Sequence, residues 1–256
     1  MESFMNGFSL EGKIAMVSGG GGGIGSTACL AFAEAGADIV ITDLTIEQAE
    51  ATAEKVWSSY GKKALAIKCD VSKPADVDRL GEEIRKNCKR LDVAFNNAGI
   101  AFEANAEDVT LEQWNRCIGI NLTGVFLTAQ MAGRIMLEQK SGSIINTASM
   151  SGHVVNVPQK HCMYNASKAG VIQLTKSLAV EWGPRGVRVN SISPGYINTV
   201  LSNSSNPWYN EWLQNSVMKR IGETSELAGV LIYLASDASS FTNGADIVID
   251  GGYTIR

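Results

Sequence analysis

At 256 residues, with 45% hydrophobic and 19% charged side chains, the chain has the composition of a globular fold able to bury one substantial core. A formal net charge of -4, with the 22 basic residues scattered, argues against nucleic acid or an anionic membrane as the main partner. Five dispersed cysteines with no CxxC pair, only two histidines, and no apolar run of roughly 18 residues exclude a disulfide scaffold, a metal cluster and a membrane span. Met1 to Gly12 has neither a basic start nor an apolar stretch, so no signal peptide is expected and the cytoplasm is the expected compartment.

Short β-branched runs then alternate with helix-like segments. Lys13 to Ser18 reads as a buried strand, followed by glycines and a helix ending near Gly36. Asp38 to Thr42 is a second strand, after which Thr45 and Gln48 have the spacing of a capping box opening a helix toward Tyr60. Ala64 to Cys69 is a third strand, with a helix from Ser72 to Lys89, and Leu91 to Asn96 a fourth. Thr110 and Gln113 repeat the capping pattern at the start of a long helix toward Glu138. Ser143 to Ala148, a helix from Met163 to Gly183, Val187 to Ile192, a helix near Ser225 to Ala235 and Asp246 to Ile249 complete the series. Continuous apolar strands of this kind are buried on both faces, which predicts an α/β fold with one doubly wound parallel sheet of seven strands in a single domain. The irregular stretch Pro194 to Gly222, with Trp208, Tyr209 and Trp212, lies outside the sheet; its aromatics favour a lid over a site, against an ordinary surface excursion.

The run from Ser18 to Gly25 joins the first strand to the first helix, where a dinucleotide-binding fold passes over a pyrophosphate. Gly19 permits the turn, Gly23 and Gly25 permit close approach, and the helix N-terminus supplies unpaired N–H groups. A flexible loop would carry the same letters. Asp43 ends the second strand 18 residues beyond Gly25, where a carboxylate can accept both hydroxyls of an adenosine ribose and repel a 2′-phosphate. No Arg or Lys stands beside it, so the expected cofactor is NAD rather than NADP, the competing reading being a turn or capping Asp.

Tyr164 and Lys168 are four apart at the start of a helix and share a face. A phenol with an ordinary pKa of about 10 becomes usable near neutrality when an ammonium favours its phenolate. Chance supplies this spacing often, but Ser149 ends the fifth strand at the sheet's carboxyl edge and Asn121 sits on the long helix as a polar group needing a partner, for which a water connected to Lys168 would serve.

These elements, together with Asp70-Val71, Asn96-Asn-Ala-Gly99, Pro194-Gly195 with Thr199 and the closing Asp250-Gly-Gly252, resemble the short-chain dehydrogenase/reductase family over essentially the whole chain. The resemblance implies a Rossmann fold and a catalytic tetrad of Asn121, Ser149, Tyr164 and Lys168. It implies cofactor contacts from Ser18, Gly19, Gly23, Ile24, Gly25, Asp43, Leu44, Asp70, Val71, Asn97, Ala98 and Gly99, with Tyr164, Lys168, Pro194, Gly195, Ile197 and Thr199 toward the nicotinamide. It also implies a homotetramer paired through the helices bearing Asn121 and Tyr164. Ser18 stands where the family usually has Thr, and the stretch from Ser149 to Tyr164 is two residues longer than usual.

The loop from Met150 to Gln159 is similar to that of the family's polyol and sugar dehydrogenases, so the expected reaction joins a secondary alcohol and its ketone, a sugar alcohol first among them. Ser151, Asn156, Gln159 and Trp208 are the candidate substrate contacts, while His153 is expected to order the loop and His161 to lie at a surface or interface. Alternatives are a 3-oxoacyl thioester reductase, a reductase of bulky ketones using the three aromatics, and a sensor that binds NAD without turnover.

Overall fold

The structure, a computed structural model, describes residues 4–199, 202 and 204–255. Residues 200, 201 and 203 of the expected lid, and 1–3 of the expected leaderless start, lie outside this set. Seven strands, β1 (Ile14–Ser18), β2 (Asp38–Asp43), β3 (Ala64–Lys68), β4 (Val93–Asn96), β5 (Gly142–Thr147), β6 (Val187–Pro194) and β7 (Asp246–Ile249), form one sheet. Every pairing is parallel, in the order β3-β2-β1-β4-β5-β6-β7, so the chain reverses direction across the sheet between β1 and β4. A crevice opens at such a reversal, and ligands bind there in doubly wound folds.

The helices are α1 (Gly23–Glu34), α2 (Ile46–Tyr60), α3 (Pro74–Asn87), α4 (Leu111–Ile118), α5 (Val125–Gln139), α6 (Cys162–Trp182), α7 (Tyr209–Asn215) and α8 (Ala228–Ala235). They cover both faces. Ala15, Val17, Phe95 and Ile145 pack with Phe32 of α1, Val56 of α2 and Leu231 of α8. Met16, Ala94 and Ile144, their neighbours along the same strands, pack on the other side with Leu80 of α3, Met136 of α5 and Leu178 of α6. Alternate residues of one strand thus enter two separate cores, which is why the strands are apolar throughout rather than at every second position.

Two local expectations change. Thr45 makes no side-chain cap, and its N–H, which the Gln48 side chain would accept in a capping box, donates to Asp43 Oδ1 at 3.2 Å. The long helix begins as expected, with the Thr110–Gln113 capping box intact, but it is interrupted by a π-helical turn over Gly119–Gly124 that separates α4 from α5. That wider turn carries Asn121. Among the described residues no helix is long and apolar enough to cross a membrane, and no three metal-ligating side chains cluster.

The first turn of α1 lies against the glycine loop so closely that a Cβ on Gly25 would stand 2.0 Å from the Gly19 carbonyl oxygen. Gly19 itself has φ +64°, a left-handed conformation that glycine adopts without strain. Gly25→Ala is therefore expected to destabilise the free protein by about 3 kcal/mol in urea titrations, the upper part of the overpacking range, with α1 displaced.

Candidate active site

The crevice beyond β1 and β4 is a cleft of about 440 Å³, running from Asp43 past the glycine loop and Asn97 to Tyr164 and Lys168. Its walls are fixed by backbone chemistry. Ser18 Oγ accepts the N–H groups of Asn97 and Ala98 at 3.0 and 3.2 Å, and Asn97 Nδ2 donates to the Gly19 carbonyl at 3.3 Å, so the loops after β1 and β4 are tied together. The hydroxyl at position 18 suffices for this; threonine's methyl is not required. No side chain caps the start of α1, leaving its N-terminal amides for an anion. Asp43 Oδ2 accepts the Gly21 N–H at 3.0 Å, which holds the carboxylate at the mouth of the cleft. Ile24, Leu44, Asp70, Val71, Ala98, Gly99 and Thr199 also border the cleft, as expected. Pro194, Gly195 and Ile197 do not: Pro194 ends β6, Gly195 faces the adjoining cavity, and Ile197 is drawn into the core packed against α8. A dinucleotide fits this donor set, with unpaired amides at its centre and a carboxylate at one end.

Tyr164 and Lys168 stand one helical turn apart on α6, with Lys168 Nζ 5.6 Å from the phenol ring centroid. Nζ donates to the Thr147 carbonyl at 2.7 Å, and burial pushes this ammonium's pKa down to about 8. Burial pushes the Tyr164 phenol up from its ordinary value, opposed by a hydrogen bond from the Ser149 hydroxyl. Ser149 Oγ in turn accepts the Ser151 N–H at 3.1 Å. Asn121 is wholly buried and spends its amide on the chain: Oδ1 accepts Ile100 N–H and Nδ2 donates to Ile100 carbonyl, both at 2.8 Å, with Ser167 Oγ at 3.3 Å. A Cβ on Gly99 would sit 3.3 Å from Asn121 Oδ1 and 3.7 Å from Lys168 Nζ, so these two groups converge on the same point of backbone. All four expected residues are thus brought together, and Asn121 anchors the Ile100 backbone.

Beyond Ser149 and Tyr164 the cleft continues into a cavity of about 470 Å³, walled by Ser151, Asn156, Gln159, His161, Tyr196 and Trp212 among others. Asn156 joins Ser151, His161 and Tyr196, each at 3.0 Å. Tyr196 stacks on Trp212 with centroids 4.3 Å apart, so the segment after β6 forms one wall of the cavity, as a lid would. Trp208 is not in that wall; its indole N–H donates to Glu103 at 3.0 Å, and Trp212 takes the place expected for it. His153 orders its loop by pairing with Asp246 Oδ2 at 2.6 Å. His161 is not a surface residue: it is 8% exposed, with its ring 5.2 Å from that of Tyr164. Tyr196 had escaped notice, although its position two residues past a strand's carboxyl end was an available signal.

The family profile described as enoyl-(acyl carrier protein) reductase matches residues 19–254. The chain belongs to the short-chain dehydrogenase/reductase family. It is 46% identical to a sorbose reductase of Candida albicans, covering 96% of this chain and 89% of that one. An NADP-dependent mannitol dehydrogenase of Alternaria alternata is 44% identical over 97% of this chain and 95% of its own. A short-chain type dehydrogenase/reductase from Mycobacterium marinum superposes with a TM-score of 0.97 at 43% identity, covering 99% of this chain and all of that chain (100%). This short-chain dehydrogenase/reductase is accordingly a nicotinamide-dependent enzyme of the alcohol dehydrogenase and carbonyl reductase type.

The buried His161 gives the enzyme an acid-sensitive point. Burial holds its imidazole neutral in the fold down to about pH 4, whereas an unfolded chain protonates near 6.5. Between those values the unfolded state holds more protons, so stability falls as pH drops through the window, by up to about 3 kcal/mol in total. Urea titrations across this range are expected to show that slope in the wild type and a flatter one in His161→Asn.

Proposed function

We propose that the protein is an NAD-dependent polyol dehydrogenase of the cytoplasm, interconverting a sugar alcohol and its ketose within a single domain. The observation that carries the reading is the cavity beside Tyr164, whose walls supply Ser151, Asn156, Gln159, His161 and Tyr196 among apolar residues such as Phe102, Met150 and Trp212. Polar groups of this kind suit a polyhydroxylated chain, because substrate hydroxyls left unpaired there would each cost binding energy. The relatives named for sorbose and mannitol support the same class of substrate.

A bound nicotinamide supplies the hydride acceptor for oxidation and the donor for reduction. In the oxidative direction Tyr164, as phenolate, takes the proton of the alcohol hydroxyl while the carbinol carbon loses its hydride, leaving the carbonyl. Ser149 donates a hydrogen bond to the same oxygen. Lys168, an ammonium below about pH 8, favours the phenolate across the short gap between them. Asn121 holds the Ile100 backbone, which borders the cleft together with Lys168.

Asp43 supports NAD. Its carboxylate is fixed by the Gly21 and Thr45 N–H groups, and the one cation bordering the cleft among the described residues is Lys168, at the far end. A 2′-phosphate beside Asp43 would meet like charge with nothing to offset it. Apolar side chains left exposed on α4, α5 and α6, namely Leu111, Trp114, Phe126 and Val180, support pairing of subunits through these helices into a tetramer.

Tyr164→Phe is expected to retain NADH affinity in a fluorescence titration while kcat falls about 10³-fold. Lys168→Met should move the rising limb of the pH profile for alcohol oxidation upward by about one unit or more, since the phenolate loses its stabilising charge. Asp43→Ala should weaken NAD binding about tenfold and narrow the discrimination against NADP. A wild-type enzyme that prefers NADP overturns the cofactor assignment.

A further inference from the structure

Asn156 is the junction of a buried hydrogen-bond chain, itself 2% exposed. Its Oδ1 accepts from Ser151 Oγ and His161 Nε2, both at 3.0 Å, and its Nδ2 donates to the Tyr196 hydroxyl at 3.0 Å. Tyr196 passes its own proton to Gln159 Oε1 at 3.0 Å. Such a chain has a direction, because each amide and imidazole atom is either donor or acceptor. With Nε2 donating, the neutral imidazole of His161 keeps Nδ1 as an acceptor. With Oε1 accepting, Gln159 keeps Nε2 as a donor.

Neither of these two atoms has a protein partner among the described residues, and neither is among the sealed polar atoms that lack one. Both therefore open onto the cavity that both residues line. Turning over both amides and moving the imidazole proton reverses every bond together; His161 then presents the donor and Gln159 the acceptor. In either direction the wall offers one donor and one acceptor. Hydroxyl groups complement that pair in both states, since each gives and takes a hydrogen bond. An alkyl chain satisfies neither, and a thioester carbonyl only the donor.

We propose that Gln159 and His161 form a specificity pair that reads hydroxyls on substrate carbons next to the reacting one, so that the enzyme selects vicinal polyols over mono-alcohols. The contact of His161 with the Tyr164 ring sets the pair beside the reacting centre, and the Ser151 N–H bond to Ser149 Oγ ties the chain to the substrate-binding hydroxyl. Neither residue touches the reacting atoms; their effect is on which alcohol is held. The inference rests on the polyol reading.

The test compares butane-2,3-diol with butan-2-ol, which share a skeleton and differ by one hydroxyl. Wild-type kcat/KM is expected to favour the diol about 100-fold or more, the discrimination open to a site with polar groups that need partners. Gln159→Met, which keeps the shape without the amide, and His161→Phe should each bring the ratio below about fivefold, with the loss falling on the diol and mainly on its KM. NADH titration and thermal melting of each variant show whether the fold is intact, and His161→Leu, smaller and without a hydrogen-bonding group, serves if His161→Phe does not fold. A diol preference that survives in folded variants, or a parallel loss on both alcohols, overturns the specificity pair while leaving the polyol reading standing. A wild-type enzyme with no preference for the diol overturns both.

Discussion

A single buried ammonium organises this active site. Lys168 Nζ lies beneath the junction of β5 and α6 with the Thr147 carbonyl as its direct partner, and burial lowers its hold on its proton. A cation in such a place is costly unless its surroundings are fixed around it. The β5–β6 register, the docking of α6 and the Gly99 backbone beside Nζ supply that fixity. The placement also brings the charge within reach of the Tyr164 phenol, which burial otherwise keeps protonated. Stability is spent here on a charge that folding alone does not require, as functional sites commonly do.

The surrounding polar groups divide into two kinds. Ser18, Asn97 and Asn121 bond the backbone of neighbouring loops and act by holding those loops at the sheet's edge. Ser149, Tyr164, Gln159 and His161 keep some capacity toward open space and face whatever enters. The first set gives the cleft its defined shape. The second gives the cavity its polar groups beside the almost fully buried Trp212 and Met150 that also line it.

Much of this was legible in the sequence because it follows from periodicity and spacing. The seven apolar runs, the glycine loop and the Tyr164–Lys168 turn all depend on local rules that a chain cannot evade. What failed depended on competition between partners. At Thr45 the backbone N–H goes to Asp43 rather than to the Gln48 side chain, a choice that spacing alone does not decide. The π turn at Asn121 arises within a sequence that reads as unbroken helix, and it accompanies a tertiary bond to Ile100 from 21 residues away. Trp208 was misjudged because its partner Glu103 lies in another part of the fold, and His161 because the cavity wall around it is built by the segment after β6 as well as by its own loop.

The tie between His153 and Asp246 bears on how such an enzyme can diversify. Asp246, at the start of the edge strand β7, also accepts the hydroxyls of Ser191 and Ser193, so the loop is moored to the sheet itself. Two residues earlier the loop is also moored at Ser149 through the Ser151 N–H. Between these fastenings and α6, the chain from Val154 to Lys160 can be exchanged or lengthened while the proton-transfer machinery stays in register. A lineage that retained both moorings would be free to change its diet without relearning its chemistry.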